Sequence, residues 1–225
     1  MKIPAAVCRG GVGVVFIPIS PELSVAFGTV LSLRKVPDHA SLNPELECAI
    51  LKRREAGVSN RISNMGGWQS LPDFLDWPEP AIAQLRAEID RGVEQINAAP
   101  VLLERRNEPP KRVSYQAYGW ANVNQSGDYN MLHSHPGCHW SVVYYVATGS
   151  PSEDNPMNGR IELRDPRPAA VFGNIPGFNS GQPMLIKPQA GLMLIFPAWI
   201  EHQVHPFTGE GNRISIAVNV TLDRN

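Results

Sequence analysis

Residues 140–147, WSVVYYVA, carry the fold. The run is rich in valine and aromatic residues and too short for a stable helix. Turn-forming residues bound it, Pro136-Gly137 before and Gly149 to Pro151 after, so it reads as a β-strand. Working outward, Arg112 to Asn124 (RVSYQAYGWANVN), Arg160 to Arg164, Met184 to Lys187, Leu192 to Phe196 and Arg213 to Leu222 (RISIAVNVTL) have the same texture, separated by Gly, Pro, Asn and Asp. From Lys111 onward no helical stretch intervenes. Short strands without crossover helices pair antiparallel, which points to a sandwich, jelly roll or barrel rather than a parallel α/β sheet.

Upstream the pattern is mixed. Phe27 to Val36 alternates and ends at Pro37-Asp38, a strand entering a turn. Asn43-Pro44 is expected to open a helix that Gly57 closes, since Asn caps well, Pro suits the first helical position and Gly suits the residue past the end. Ile82, Leu85, Ile89, Val93 and Ile96 then form one apolar stripe between Pro80 and Pro100, a second, amphipathic helix. The expected organisation is one domain over residues 1–225, with 1–110 a mixed α/β supporting region and 111–225 the β core.

Composition agrees. Lys+Arg 20 against Asp+Glu 21 gives a net charge of -1, with no basic stripe for nucleic acid. Hydrophobic residues at 43% are enough for a buried interior, and 21 prolines in 225 residues disfavour long helices. Cys8, Cys48 and Cys138 show neither CxxC spacing nor an even count, so no disulfide framework is encoded and a reducing cytoplasm is expected. The apolar run Val12 to Ile19 is short and follows Arg9, so neither a secretion signal nor a membrane span is expected.

Five of the 6 histidines fall in two segments of the β-rich half: His133, His135 and His139 in LHSHPGCHW, and His202 and His205 in FPAWIEHQVHP. On a strand His133 and His135 share a side, and Pro136-Gly137 ends that strand. Two ligands close together and a third from a distant strand suit a catalytic metal site that keeps positions open. His205, three residues after His202, and His139, beyond the turn, are not expected to be ligands.

After His202 the chain reads Arg213-Ile214-Ser215. With the strings SNMGGWQS, WANVN, HSHPG, VYYV, DPR, FPAWIEH and RISIAVN, spread from Ser63 to Val220, the chain resembles bacterial Fe(II)- and 2-oxoglutarate-dependent oxygenases of the double-stranded β-helix, or jelly-roll, class. The resemblance implies a mainly β, jelly-roll core with supporting helices and Fe(II) held by His133, His135 and His202. His135 stands where the family usually has Asp or Glu. It also implies 2-oxoglutarate as cosubstrate. Arg213 would pair with the far carboxylate and Ser215 would bond beside it, with Tyr145, or Tyr144 if the register slips, and Asn122 as further contacts. The implied reaction hydroxylates a small molecule or peptide and releases succinate and CO2. Trp199 and Leu192 to Phe196 would wall the oxidant off from water. Three imidazoles equally describe a hydrolytic zinc site or a dioxygenase without 2-oxoglutarate, and a non-catalytic β-sandwich remains a further alternative. Should His135 not be a ligand, Asp128, Glu162 and Asp165 are the carboxylates to test. Asp165-Pro166-Arg167 also suits a plain Asx turn, and Cys138 a buried small residue.

Overall fold

Strict alternation along one strand organises the molecule. In Arg213–Val220, Ile214, Ile216, Val218 and Val220 join a core shared with two helices, while Arg213, Ser215, Ala217 and Asn219 point the other way. The computed structural model describes residues 17–18, 24–25, 28–57, 59–60, 62–99, 113–167 and 181–223. Its elements are β1 (Ile17–Pro18), β2 (Ser24–Val25), β3 (Ser32–Lys35), α1 (His39–Glu55), β4 (Asn64–Met65), β5 (Trp68–Gln69), a 3-10 turn (Phe74–Asp76), α2 (Pro80–Asn97), β6 (Tyr115–Asn124), β7 (Tyr129–His133), β8 (Trp140–Pro151), β9 (Ile161–Leu163), β10 (Met184–Ile186), β11 (Leu192–Pro197), β12 (His202–Val204) and β13 (Gly209–Leu222).

Two antiparallel sheets face each other as a jelly roll. The larger has 6 strands in the order β3-β11-β8-β13-β6-β5, and the smaller 5 in the order β10-β9-β12-β7-β4. Both helices cover the outer face of the larger sheet. There Leu42, Leu46 and Ile50 of α1 and Ile82, Leu85, Ile89, Val93 and Ile96 of α2 meet Val142, Tyr144, Met193 and Ile195. Each such side chain contributes roughly 1.5–3 kcal/mol by leaving water. A second apolar cluster, with Tyr145, Leu163, Leu194, Phe196 and Ile200, lies between the sheets. β11 therefore feeds both layers, Met193 and Ile195 outward and Leu194 and Phe196 inward. Among the described residues no helix is long and apolar enough to cross a membrane.

The structure corrects several boundaries. α1 begins at His39, not Asn43, and Pro44 lies inside it. The proline is tolerated because the i−4 carbonyl it leaves without a donor belongs to Ala40, an exposed residue of the first turn that water can reach. Asn43 is no cap. Its side chain is buried, donating to the Val146 carbonyl at 2.7 Å and accepting from the Tyr144 hydroxyl. Of the expected strand Phe27 to Val36, whose first residue lies outside the described residues, only Ser32–Lys35 is strand, and β13 starts at Gly209, with its register against β8 shifting between Glu210 and Arg213. The first half also supplies strands to both sheets. β4 pairs with β7 and β5 with β6, so the segment Asn64 to Gln69 bridges the two sheets along one side of the barrel. Gly66 makes that crossing at φ 70, and a Cβ there would meet the Asp128 carboxylate at 1.9 Å. Cys138 is half-buried rather than buried. Cys8 and most of Val12 to Ile19 lie outside the described residues.

Candidate metal and cosubstrate site

His133 ends β7 and His202 opens β12, and the two are direct cross-strand partners. Their ring centroids are 4.3 Å apart. His135 does not sit on a strand as expected. It lies in the loop after β7, where its backbone N–H donates to the Ala198 carbonyl at 2.9 Å while Ala198 N–H donates to His139 at 3.0 Å. These two bonds lash the loop to the segment leading into β12. The ring of His135 is 5.0 Å from that of His133 and 5.1 Å from that of His202. One nitrogen of each imidazole falls within 4.8 Å of the others, so small χ rotations bring all three onto one ion.

The ring orientations are fixed from behind. Nδ1 of His133 donates to the Met131 carbonyl at 2.7 Å and Nδ1 of His202 to the Ile200 carbonyl at 2.9 Å, which leaves Nε2 of each with a free lone pair. Burial, and then the neighbouring His133, pull His135 down to about 4 and His202 to about 3, and burial also lowers His133. All three are neutral at neutral pH, the form a metal needs. Phe196 closes one flank, its ring 4.9 Å from that of His202, and Trp120 another, 5.7 Å from His135.

Among the described residues no carboxylate joins this group. Glu162 is held by Gln203 at 3.1 Å and His205 at 2.7 Å. Asp128 accepts from the Gln125 N–H at 2.7 Å. Asp165 forms an Asx turn with Arg167, accepting its N–H at 3.0 Å. Three neutral ligands leave a divalent charge uncompensated, and an anion on the ion would balance it. His139 accepts the Leu222 N–H, so neither it nor His205 is in the cluster.

Deeper in the barrel the larger sheet presents polar side chains inward. β13 pairs Ser215 with Asn122 of β6 on one side and with Tyr145 of β8 on the other, and Asn122 pairs with Gln69 of β5. One row thus runs Gln69, Asn122, Ser215, Tyr145 across four strands. Arg213, opposite Asn124, lies one step deeper. Arg213 is 1% exposed. Its Nε donates to the Gly159 carbonyl at 3.2 Å and its Nη1 to Ser215 Oγ at 3.5 Å, while its Cζ lies 5.3 Å from the Tyr145 ring. Among the described residues it has no carboxylate partner. Burial lowers the Arg213 pKa and raises that of Tyr145. Tyr144 faces the other way, toward α1.

Among the described residues, the buried side-chain atoms without a protein hydrogen bond are Arg213 Nη2, Tyr145 OH, Asn122 Oδ1, Asn124 Oδ1 and Gln69 Oε1. All belong to this one end of the barrel. Leaving each unpaired costs about 1–3 kcal/mol, and more for the guanidinium; Arg213 Nη2 and the Tyr145 hydroxyl can donate to an anionic oxygen, and the three amides can do so once their terminal groups turn over to present N–H. The residues fit 2-oxoglutarate: a buried cation for a carboxylate, hydroxyl and amide donors beside it, and three imidazoles further along.

The comparisons agree with this geometry. The family described as "Putative 2OG-Fe(II) oxygenase" matches residues 118–219, the segment that carries the three imidazoles and Arg213. Over this segment, a little under half of the chain, it is similar to the 2OG-Fe(II) oxygenases. The fold recurs in a prolyl-4-hydroxylase from Pseudomonas putida, with TM-score 0.56, 15% identity, and 88% of this chain and 94% of that one covered. It recurs in a prolyl hydroxylase from Trichoplax adhaerens in complex with a hypoxia inducible factor peptide, with TM-score 0.60, 17% identity, and coverage of 85% and 83%. HygX from Streptomyces hygroscopicus, with nickel, 2-oxoglutarate and hygromycin B bound, gives TM-score 0.55, 13% identity, and coverage of 86% and 83%. At these identities the likeness is one of fold. No curated protein matches significantly.

One expectation about the site changes, and two residues join it. Trp199 does not wall the barrel. It is 54% exposed and lines, with Arg164, Asp165, Arg167 and Glu201, a cleft of about 370 Å³ that none of the three histidines lines. Leu194 and Phe196, from the stretch Leu192 to Phe196 expected to share that role, do lie in the apolar cluster between the sheets. Gln69 and Asn124, missed in the sequence, belong to the same inward row and its neighbour. Gln69 follows Trp68, a core residue, and period-2 alternation is the one signal that places it on the opposite face.

Proposed function

We propose that the chain is a 2OG-Fe(II) oxygenase that binds Fe(II) through Nε2 of His133, Nε2 of His202 and a ring nitrogen of His135, and 2-oxoglutarate through Arg213, Tyr145, Ser215 and Asn122. Its reaction is the hydroxylation of a C–H bond in a peptide or small molecule. The observation that carries the reading is the buried, carboxylate-free guanidinium of Arg213 in the same barrel as three neutral imidazoles. A zinc hydrolase would use the imidazoles and would need that cation only for an acidic substrate.

Bound Fe(II) and 2-oxoglutarate together supply an oxidant derived from O2, with the 2-oxo acid ending as succinate and CO2. The chain's own part is positional. Arg213 presents a planar fork to the far carboxylate, with the Tyr145 and Ser215 hydroxyls beside it. The backbone carbonyls of Met131 and Ile200 hold two imidazoles in one tautomer. Phe196, Leu194, Leu163 and Ile200 keep water from the reacting centre. On the side away from Arg213 the inner face opens. Tyr118, two positions from Trp120 on β6, is 45% exposed, and this mouth admits the substrate.

The test is anaerobic loading with Fe(II), addition of 2-oxoglutarate, then air. Succinate and CO2 are expected in equal amounts, slowly even without a primary substrate. Stoichiometric iron with neither 2-oxoglutarate binding nor succinate would defeat the proposal.

A further inference from the structure

We infer that Gln69 is a binding residue for the 2-oxo acid, donating its side-chain N–H to a carboxylate oxygen; this rests on the function proposed above. Gln69 is 2% exposed and its Oε1 meets no protein donor. It sits in register with Asn122, which sits in register with Ser215, so its side chain faces the same interior as the proposed cosubstrate contacts. Trp68 beside it is in the outer core with Val123, which fixes the alternation.

The level in the barrel is also right. Counting along β6, Asn124 lies opposite Arg213, Asn122 is one inward position further toward the mouth, and Trp120, the next, lies against His135. A diacid reaching from Arg213 to the three imidazoles must pass the row that contains Gln69. The row itself holds no cation, Arg213 lying one step deeper, so the carboxylate oxygens that Arg213 does not reach need neutral donors. An amide supplies them: rotation of its terminal group by half a turn exchanges oxygen for nitrogen, and the unsatisfied acceptor becomes a donor facing the ligand. Gln rather than Asn suits the position, because β5 is one strand spacing, about 4.8 Å, beyond β6 and the extra methylene helps to cover it. The Asn64 to Gln69 connection that closes the side of the barrel therefore also contributes to the cosubstrate pocket.

The experiment is calorimetric titration of 2-oxoglutarate into full-length protein loaded with Mn(II) under argon, for wild type, Gln69→Leu, Gln69→Glu and Arg213→Met, with metal content and ligand-free melting recorded for each. Gln69→Leu is expected to bind 2-oxoglutarate about ten-fold or more weakly, the loss of one hydrogen bond to an ionised group. Gln69→Glu is expected to bind more weakly still, because it sets a negative charge against a dianion, with Mn(II) content unchanged in both. A packing role would rank them oppositely, with the near-isosteric glutamate the milder change. Unchanged affinity in Gln69→Leu, that opposite ranking, or loss of metal in both variants would overturn the inference. Wild-type protein that ignores 2-oxoglutarate, or an Arg213→Met variant that binds it normally, would instead bring down the proposed function and Gln69's role with it.

Discussion

Replacing Arg213 with Met separates a ligand-binding arginine from a structural one. In the ligand-free protein the guanidinium makes two moderate contacts, 3.2 Å to the Gly159 carbonyl and 3.5 Å to Ser215, while Nη2 has no partner. Removing the first contact costs about 1 kcal/mol, and removing a desolvated, uncompensated charge returns a similar amount or more. Methionine fills most of the volume, so the ligand-free melting temperature should move by no more than about 3 °C for a chain of this size. Binding should behave very differently. Deleting one partner of a buried charge pair costs about 2–5 kcal/mol, which is a 30-fold to several-thousand-fold loss of 2-oxoglutarate affinity. At a 2-oxoglutarate concentration 100 times the wild-type Kd, wild type gains about 2.7 kcal/mol, and the variant, at no more than about 3 times its own Kd, gains less than about 1 kcal/mol. Thermal melts of Mn(II)-loaded protein with and without the ligand read both quantities in one assay. A variant that keeps the full ligand-induced shift refutes the assignment. One that is several kcal/mol less stable without ligand shows that Arg213 serves the fold.

Three further outcomes are expected. His202→Ala should lose stoichiometric iron by elemental analysis while the barrel stays folded by circular dichroism, since His202 joins the metal group without tying sheets together; retained iron would point to another ligand. Metal-free protein should be most stable above about pH 6.5 and weaken steadily toward pH 4, because the unfolded chain takes up imidazole protons near 6.5 while folded His135 and His202 resist them down to about 4 and 3; chemical denaturation at pH 8, 6.5 and 5 that shows no such slope would contradict the burial of these rings. Asn43→Ala should cost about 1–3 kcal/mol by leaving the Val146 carbonyl and the Tyr144 hydroxyl without partners, and should also weaken 2-oxoglutarate binding, because the register between β8 and β13 shifts beside Val146; a stability loss with unchanged affinity would uncouple the helix from the pocket.

What was legible in the sequence follows from pattern strength. β8, β11 and β13 are long enough for alternation or a β-branched run to show, and the five-residue stripe of α2 survives intact because every member is buried against one sheet. β7, YNMLH, and β12, HQV, carry no alternation, so the strand under His133 is legible only from the histidine spacing and the Pro136-Gly137 turn, which carry it two residues too far, to His135, while β12 is not delimited. The histidine cluster was visible regardless, since imidazole is rare here and its crowding into two segments does not depend on strand boundaries. Gln69 and Asn124 were hidden for a deeper reason. A polar pocket inside a barrel and a solvated outer face impose the same period-2 pattern, so an inward amide looks like an ordinary surface residue until the sheet order is known. Asn43 misled because asparagine before proline reads as a helix start, whereas tertiary contacts with β8 claim its side chain.

β13 serves two unrelated clienteles, aliphatic on one side and ionic on the other, and nothing but residue parity keeps them apart. Length should therefore be policed here more severely than chemistry. Swapping Val218 for Ile is a quiet edit, but adding or removing one residue between Ser215 and Ile216 would put Arg213 and the aliphatic series Ile216, Val218 and Val220 on the same side, so that one of the two must face the wrong layer.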